Sequence, residues 1–297
     1  MRIGYPCLNL SLNCKGNRTF RLRSYSEERL IATVRDNLAC LGEILRFNLA
    51  HKILFFRITS DLVPFASHSI CRFDWQSYFS GEFAGIGRSI KSHGMRISMH
   101  PDQFTLINSP SEQIFKNSCR ELLYHAEVLD LLQLDRSAKI QIHVGGAYGD
   151  KQASIERFAQ LDERIKRRLV IENDERSYSL ADCLFIHRAT AIPVVFDLFH
   201  HELNSSGESV QEAFSLFTKT WDDEDGLPIV DYSFQEEGER RGKHAGTLDP
   251  ERFELFLAQT QPFDFDIMLE LKDKERSALR AIELASSDQR FLRQLAG

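Results

Sequence analysis

The sequence predicts a (β/α)₈ TIM barrel of the α/β class, folded as a single domain over residues 1–297 with its active site at the C-terminal ends of the strands. Three observations carry this. Short β-rich runs alternate with longer amphipathic stretches eight times, mostly through short connections, which suits a closed parallel barrel better than a doubly wound sheet. No Gly-rich GxGxxG follows any of these runs, which removes the usual dinucleotide-binding alternative. The longest non-periodic pieces, 10–25, 61–74 and 234–248, each begin where a strand ends, as the loops that build barrel active sites do.

Taken in order, strands are expected at 2–9, 53–60, 96–103, 139–146, 168–175, 193–200, 227–234 and 265–273. Helices are expected near 26–47, 75–92, 111–133, 151–166, 179–190, 208–220, 250–259 and 274–294. In the first of them Leu30, Val34, Leu38, Leu41 and Leu45 recur at three- and four-residue steps and form one buried stripe on a charged helix. Ser26 suits its start, and Asp249-Pro250 reads as an N-cap followed by a first-turn proline. No linker, low-complexity tract or charge block marks a second domain.

With 42% apolar and 27% charged residues the composition is that of an ordinary globular protein. The six cysteines, Cys7, Cys14, Cys40, Cys71, Cys119 and Cys183, form no CxxC pair, so reduced thiols are expected. The N-terminal MRIGYPCLNL lacks the apolar core of a signal peptide and no run approaches a membrane span, so the expected location is cytoplasmic. A formal charge of −6 does not advertise a nucleic-acid partner, although carboxylates under bound cations would not face a phosphate as free charge.

Five apolar runs end in side chains suited to holding metals: RISMHPDQ (His100), KIQIHVGG (His143), RLVIENDE (Glu172), PVVFDLFHH (Asp197 and His200) and FDIMLELKD (Glu270). PIVDYSF (Asp231) and GKHAG (His244) lie between the last two. In a parallel barrel these ends share one rim. Imidazole and carboxylate donors suit Mn²⁺, Zn²⁺, Fe²⁺ or Co²⁺, and the absence of cysteine among them argues against a structural thiolate zinc site. Seven or eight such ligands exceed what one ion uses, so two or three ions are implied. Ions paired about 3.5–4 Å apart serve phosphoryl chemistry, one generating hydroxide and another neutralising the leaving oxygen. Singly, each residue has a plainer reading. His143 can be a core histidine, Glu172 and Glu270 can pair with Arg168 or Lys272, and Asp197 and His200 can be loop polarity.

The motifs GYPCLNLSL, LVPFASH, SMHPDQF, HVGGAYGDK, IENDE, VVFDLFHHELN, GKHAG and MLELKDKE resemble, in order and spacing, those of the UV damage endonucleases. These are barrel nucleases similar in architecture to endonuclease IV-type apurinic nucleases. The resemblance implies three divalent ions, usually manganese, with Mg²⁺, Co²⁺ or Zn²⁺ as alternatives. Their implied ligands are His100, His143, Glu172, Asp197, His200, Asp231, His244 and Glu270. It also implies a nick in damaged double-stranded DNA immediately 5′ to pyrimidine dimers, 6-4 products and abasic sites, leaving a 3′-hydroxyl and a 5′-phosphate. No protein partner is implied and a monomer is expected. At the seventh strand this chain departs from the commoner K-V-H, carrying Ile229-Val230-Asp231. Isoleucine cannot be carboxylated, and Asp231 would ligate through oxygen, favouring Mn²⁺ or Mg²⁺ over Zn²⁺. Phe104 stands where relatives often carry tyrosine.

Gln103 and Phe104 follow a strand end and are expected to wedge into the duplex beside an extruded lesion, damaged bases being cheaper to unstack. Tyr5 and Asn9 are expected to line the lesion pocket. Arg18, Arg21 and Arg23, interleaved with Phe20, together with Arg240, Arg241 and Lys243, are expected to grip phosphates. Glu172 is expected to act in catalysis by bridging ions. Lys272, two residues after Glu270, would be an auxiliary electrostatic group on the same strand face. The run KRR at 166–168 falls at the opposite end and is assigned to solubility. The rival reading is a manganese-dependent sugar isomerase or epimerase of the same barrel class. A third is a metal-bearing lesion sensor that binds without cutting.

Overall fold

The protein is described here by a computed structural model covering residues 1–148 and 150–291. Eight parallel strands close into a barrel in sequence order, each hydrogen-bonded to its chain neighbours and β1 to β8. They are β1 Ile3–Pro6, β2 Phe55–Ile58, β3 Arg96–Met99, β4 Lys139–His143, β5 Leu169–Glu172, β6 Val194–Asp197, β7 Ile229–Tyr232 and β8 Asp266–Leu269. The eight predicted runs each contain one, shorter than expected. Around them lie α1 Glu27–Ala50, α2 Trp75–Tyr78, α3 Ser80–Ser92, α4 Glu112–Leu131, α5 Lys151–Ala159, α6 Glu163–Lys166, α7 Leu180–Thr190, α8 Leu198–Leu203, α9 Val210–Phe217, α10 Pro250–Gln259 and α11 Glu275–Leu284. Among the described residues no helix is long and apolar enough to cross a membrane.

The stripe on α1 is buried as its spacing requires, and Ser26 accepts from the Arg29 amide while Asp249 accepts from that of Arg252. Each fully buried leucine of that stripe contributes about 1.5–3 kcal/mol. Three predicted elements are divided. The 75–92 stretch breaks at Phe79, whose ring is fully buried. The 151–166 stretch breaks because the Asp162 carboxylate accepts from the Arg164 amide and so caps α6 rather than continuing α5. The 193–200 strand stops at Asp197, whose carboxylate accepts from the His200 amide at 2.7 Å and starts α8. Of the predicted 274–294 helix, residues 292–294 lie outside the described residues, as does Gly149 of HVGGAYGDK.

Alternation along the strands stacks the interior in layers. Arg96, Lys139 and Asp266 face inward at the N-terminal end. Phe55, Val170, Val195, Ile229 and Met268 form an apolar plug above them. Gly4 completes the closure of β1 on β2, since a Cβ there would lie 2.1 Å from the Phe55 carbonyl oxygen. Above the plug the next inward positions are Arg57, Gln141, Glu172, Asp197 and Asp231, and with them the apolar interior ends.

Two sequence expectations are corrected at this level. Cys14 and Cys40 form a disulfide, joining the 10–25 loop to α1 across a Cα separation of 5.6 Å. Their pairing depends on how the loop folds back, so spacing alone gave no sign of it. Cys7, Cys71, Cys119 and Cys183 are free thiols. Arg168 is not a solvated surface charge. It is buried, donates to the carbonyls of Leu134, Asp135 and Ala138, and pairs with Asp130 at 2.8 Å.

Candidate metal centre

The C-terminal rim gathers three overlapping groups of donor atoms, each group within 4.8 Å: His100, His143 and Glu172; Glu172, Asp197 and His200; Asp197, Asp231 and Glu270. The residues come from β4, β5, β6, β7, the start of α8 and the positions just after β3 and β8. Parallel strands place their C-terminal ends side by side, so donors scattered from residue 100 to residue 270 become neighbours. Glu172 is central. Its Oε1 accepts from His100 Nε2 at 2.8 Å and lies 3.3 Å from His143 Nε2, and its Oε2 accepts from Gln141 at 2.6 Å.

The spacing of Asp197 and His200 follows from the cap. One carboxylate oxygen of Asp197 holds the first turn of α8, which brings the His200 ring to 3.3 Å from the other, Oδ2. His200 Nδ1 hydrogen-bonds the Asn173 carbonyl at 3.0 Å, leaving Nε2 free to ligate. His244 adjoins from the loop after β7. Its Nδ1 lies 3.2 Å from the Glu270 carbonyl oxygen and its ring centroid 5.9 Å from that of His200.

Electrostatically this end is overloaded with negative charge. Burial together with the Glu270 and Glu172 carboxylates pushes Asp197 up to about 6, against the pull of His200. Burial and three neighbouring carboxylates raise Asp231 well above its usual range despite Arg57. Burial alone would lower His200, but Asp197, Glu172 and Glu270 raise it to about 9. Burial would likewise raise Glu172, yet His143, His100 and His200 hold it well below the ordinary carboxylate range. Asp197 and Asp231, which resist ionising, beside His200, which resists deprotonating, mark a local shortage of positive charge that divalent cations would relieve. Two buried atoms without a hydrogen-bond partner among the described residues, His143 Nδ1 and Asp197 Oδ2, belong to this constellation. A donor set of clustered imidazoles and carboxylates that includes such unpartnered atoms fits divalent metal ions.

Two participants were not anticipated. Arg57, projecting from β2, donates through Nη2 to both oxygens of Asp231, at 3.0 and 2.9 Å, and to Gln141 Oε1 at 2.9 Å, and through Nη1 to Glu270. Gln141 in turn donates to Asp231 at 2.5 Å. The sign of both was present as polar residues inside FFRI and KIQIH, the same oddity that exposed Glu172 in LVIE. The expected partners of the two glutamates are thereby replaced: Glu270 meets Arg57 rather than Lys272, and Glu172 meets histidines and Gln141 rather than Arg168.

The rim beyond the donors is uneven. Gln103 and Phe104 project from the loop after β3, with Phe104 74% exposed, its amide tied to the Asp102 carboxylate. A cavity of about 200 Å³ opens between that loop and the donors, lined in part by His100, Gln103, His143, Glu175 and Arg176. Tyr5 departs from expectation. It is fully buried, donating to Asn48 of α1 at 2.7 Å and accepting from Asn9, because its phase in β1 directs it to the helix layer and not to an open pocket. Arg18, Arg21, Arg23 and Arg240 are exposed, Arg18 pairing with Asp36. Lys243 pairs with Glu239, and Arg241 donates to the Leu203 carbonyl. β8 ends at Leu269, so Glu270 and Lys272 lie past it and share no strand face; Lys272 is half-exposed and pairs with Glu236 at 3.2 Å.

The chain is similar to several known proteins. A UV DNA damage endonuclease of Clostridium perfringens (strain 13 / Type A) is 40% identical over 288 residues, covering 95% of this chain and 70% of the relative. One from Bacillus cereus (strain Q1) is 36% identical over 301 residues, covering 97% and 95%. The crystal structure of SacUVDE superposes with a TM-score of 0.91 at 45% identity, covering 96% of this chain and 98% of that one. A D-psicose 3-epimerase from Clostridium cellulolyticum H10 superposes with a TM-score of 0.54 at 11% identity, covering 86% and 89%, and shares the fold. The model of the UV-endonuclease UvdE family matches residues 1–293, and the chain belongs to that family of DNA repair endonucleases acting on UV damage.

Proposed function

We propose that this chain nicks one strand of duplex DNA immediately 5′ to UV photoproducts, and to abasic sites, by hydrolysis of a phosphodiester assisted by divalent ions, manganese first among them. The observation that carries this is the sharing of Glu172 between two donor groups, one with His100 and His143 and one with Asp197 and His200. These five residues would hold the ions, with Glu270 and His244 on the open side. Divalent ions in such a site lower the pKa of water and neutralise charge on the leaving oxygen.

The remaining work falls to the protein. Gln141 fixes the second oxygen of Glu172, and the Asn173 carbonyl fixes the His200 ring, so the donors are held before substrate arrives. Phe104 and Gln103 would fill the gap left when a damaged dinucleotide leaves the stack, which favours lesions because they unstack at lower cost. Arg18, Arg21, Arg23, Arg240, Arg241 and Lys243 would meet phosphates along the rim, and Lys272 would add charge beside the cut. Asn9, bonded to the buried Tyr5, would reach the lesion only from the loop's inner edge.

The exposed aromatic loop beside the donors favours a macromolecular substrate over a small sugar, which would need a closed polar pocket. The test is incubation with Mn²⁺ and a UV-irradiated duplex oligonucleotide. A discrete 5′-side cut with a 3′-hydroxyl terminus, absent from the unirradiated control, is expected. Turnover of a free ketose without nicking would instead identify an epimerase.

A further inference from the structure

The third donor group differs from the other two. His143 Nδ1, in the first group, and Asp197 Oδ2, common to the second and third, are buried without a hydrogen-bond partner among the described residues, as is Arg57 Nε. In the third, every oxygen of Asp231 is already engaged: Oδ1 accepts from Arg57, and Oδ2 accepts from Arg57 and Gln141. Glu270 Oε1 accepts from the other arm of the same guanidinium. Arg57, Asp231 and Gln141 are each buried and rise from β2, β7 and β4, so the clasp is fixed by the barrel itself.

We infer that Arg57 is the resident cation of this third position, and that the chain loads two divalent ions, in the groups centred on Glu172, where its eight donors would suggest three. Resting on the proposed metal-dependent function, the inference makes Arg57 and Gln141 positioning residues and removes Asp231 from the ligand set. A guanidinium cannot be deprotonated in a protein, so its charge is permanent, and a divalent ion entering between Asp231 and Glu270 would have to displace it or lie beside it unscreened. The planar fork also explains why a carboxylate can stand at 231 without an ion: Arg57 and Gln141 supply three hydrogen bonds that a buried aspartate requires. Ile229, packed in the apolar plug beneath, supplies no further donor.

The test is metal content, read independently of nicking. Protein stripped with a chelator, re-equilibrated with Mn²⁺ and freed of excess is analysed by elemental mass spectrometry. About two ions per chain are expected. Three would overturn the inference and leave the proposed function standing, whereas none would sink the metal reading itself. Asp231→Asn should leave the count at two, and a fall to one would restore Asp231 as a ligand. Arg57→Gln should admit a third ion and show a larger Mn²⁺-induced rise in Tm than the wild type, while Arg57→Lys should behave as the wild type. An unchanged count of two in a folded Arg57→Gln would overturn the assignment. If that variant does not fold, the wild-type and Asp231→Asn counts decide alone.

Discussion

The two ends of the barrel interior carry opposite imbalances of charge, and the apolar layer between them keeps them apart. At the N-terminal end Asp266 takes Arg96 at 2.8 Å and Arg2 at 3.2 Å, and Asp225 takes Lys139 together with Arg136 at 2.9 Å. Trp221 covers the Arg96 and Lys139 cations with its ring. Each carboxylate there has at least two cations. At the C-terminal end, among the described residues, Arg57 pairs with two of four carboxylates, Asp231 and Glu270, and leaves Glu172 and Asp197 to histidines. A buried charge network that is satisfied from within the chain is structural. One that is left short of positive charge is a site that something else must complete.

Breaking either end should therefore have different consequences. The largest effect belongs to Glu172→Gln, which keeps the shape but removes the charge shared by two donor groups. Nicking should fall by about 10³-fold or more while lesion-duplex binding, followed by gel shift, is retained. Loss of binding together with nicking would mean that Glu172 serves the fold instead.

At the opposite end Asp266→Asn would leave Arg96 buried against a neutral partner, and a loss of about 3–5 kcal/mol is expected in denaturant titration. The nicking rate per folded molecule should stay close to that of the wild type. An effect on rate at constant stability would show that the apolar layer does not insulate the two ends.

Asp197→Asn should run against the usual sign for a buried ion. Asparagine still caps α8, and removing one of the crowded carboxylates should stabilise the metal-free protein by about 1 kcal/mol, while the Mn²⁺-dependent rise in Tm shrinks. Destabilisation of the metal-free form would contradict the claim of surplus negative charge.

Phe104→Ala touches neither network. With the ring exposed, stability should change by less than about 0.5 kcal/mol. Preference for irradiated over intact duplex should drop by about tenfold, a stacking contribution of roughly 1–3 kcal/mol.

The smallest effect is a pH dependence at the N-terminal end. Burial lowers Lys139 to about 8 from its ordinary 10.5, the Asp225 pairing opposing. Between those values the unfolded chain binds more protons than the folded one, so this group's contribution to stability should increase as pH rises through that window. Lys139→Met should abolish that part of the slope.

The charged donors were legible because a glutamate in LVIE or an aspartate closing VVFD violates the apolar pattern around it, and such a violation needs a partner. The same logic applied to Arg57 in FFRI and Gln141 in KIQIH, but their roles depend on which side chains face them across the barrel. Tyr5 illustrates the reverse. Its motif pointed to a binding pocket, yet strand phase turned it into the helix layer.

Sequence by itself determined the alternation of strands and helices, the closure into a barrel and the strand ends that bear donors, since periodicity and burial cost act along the chain. Only the tertiary structure decided who neutralises whom: Arg57 with Asp231 and Glu270, Glu172 with two histidines, Cys14 with Cys40. Charge pairing and disulfide bonding depend on distances of a few ångströms between residues remote in the chain, and those distances exist only once the barrel has closed.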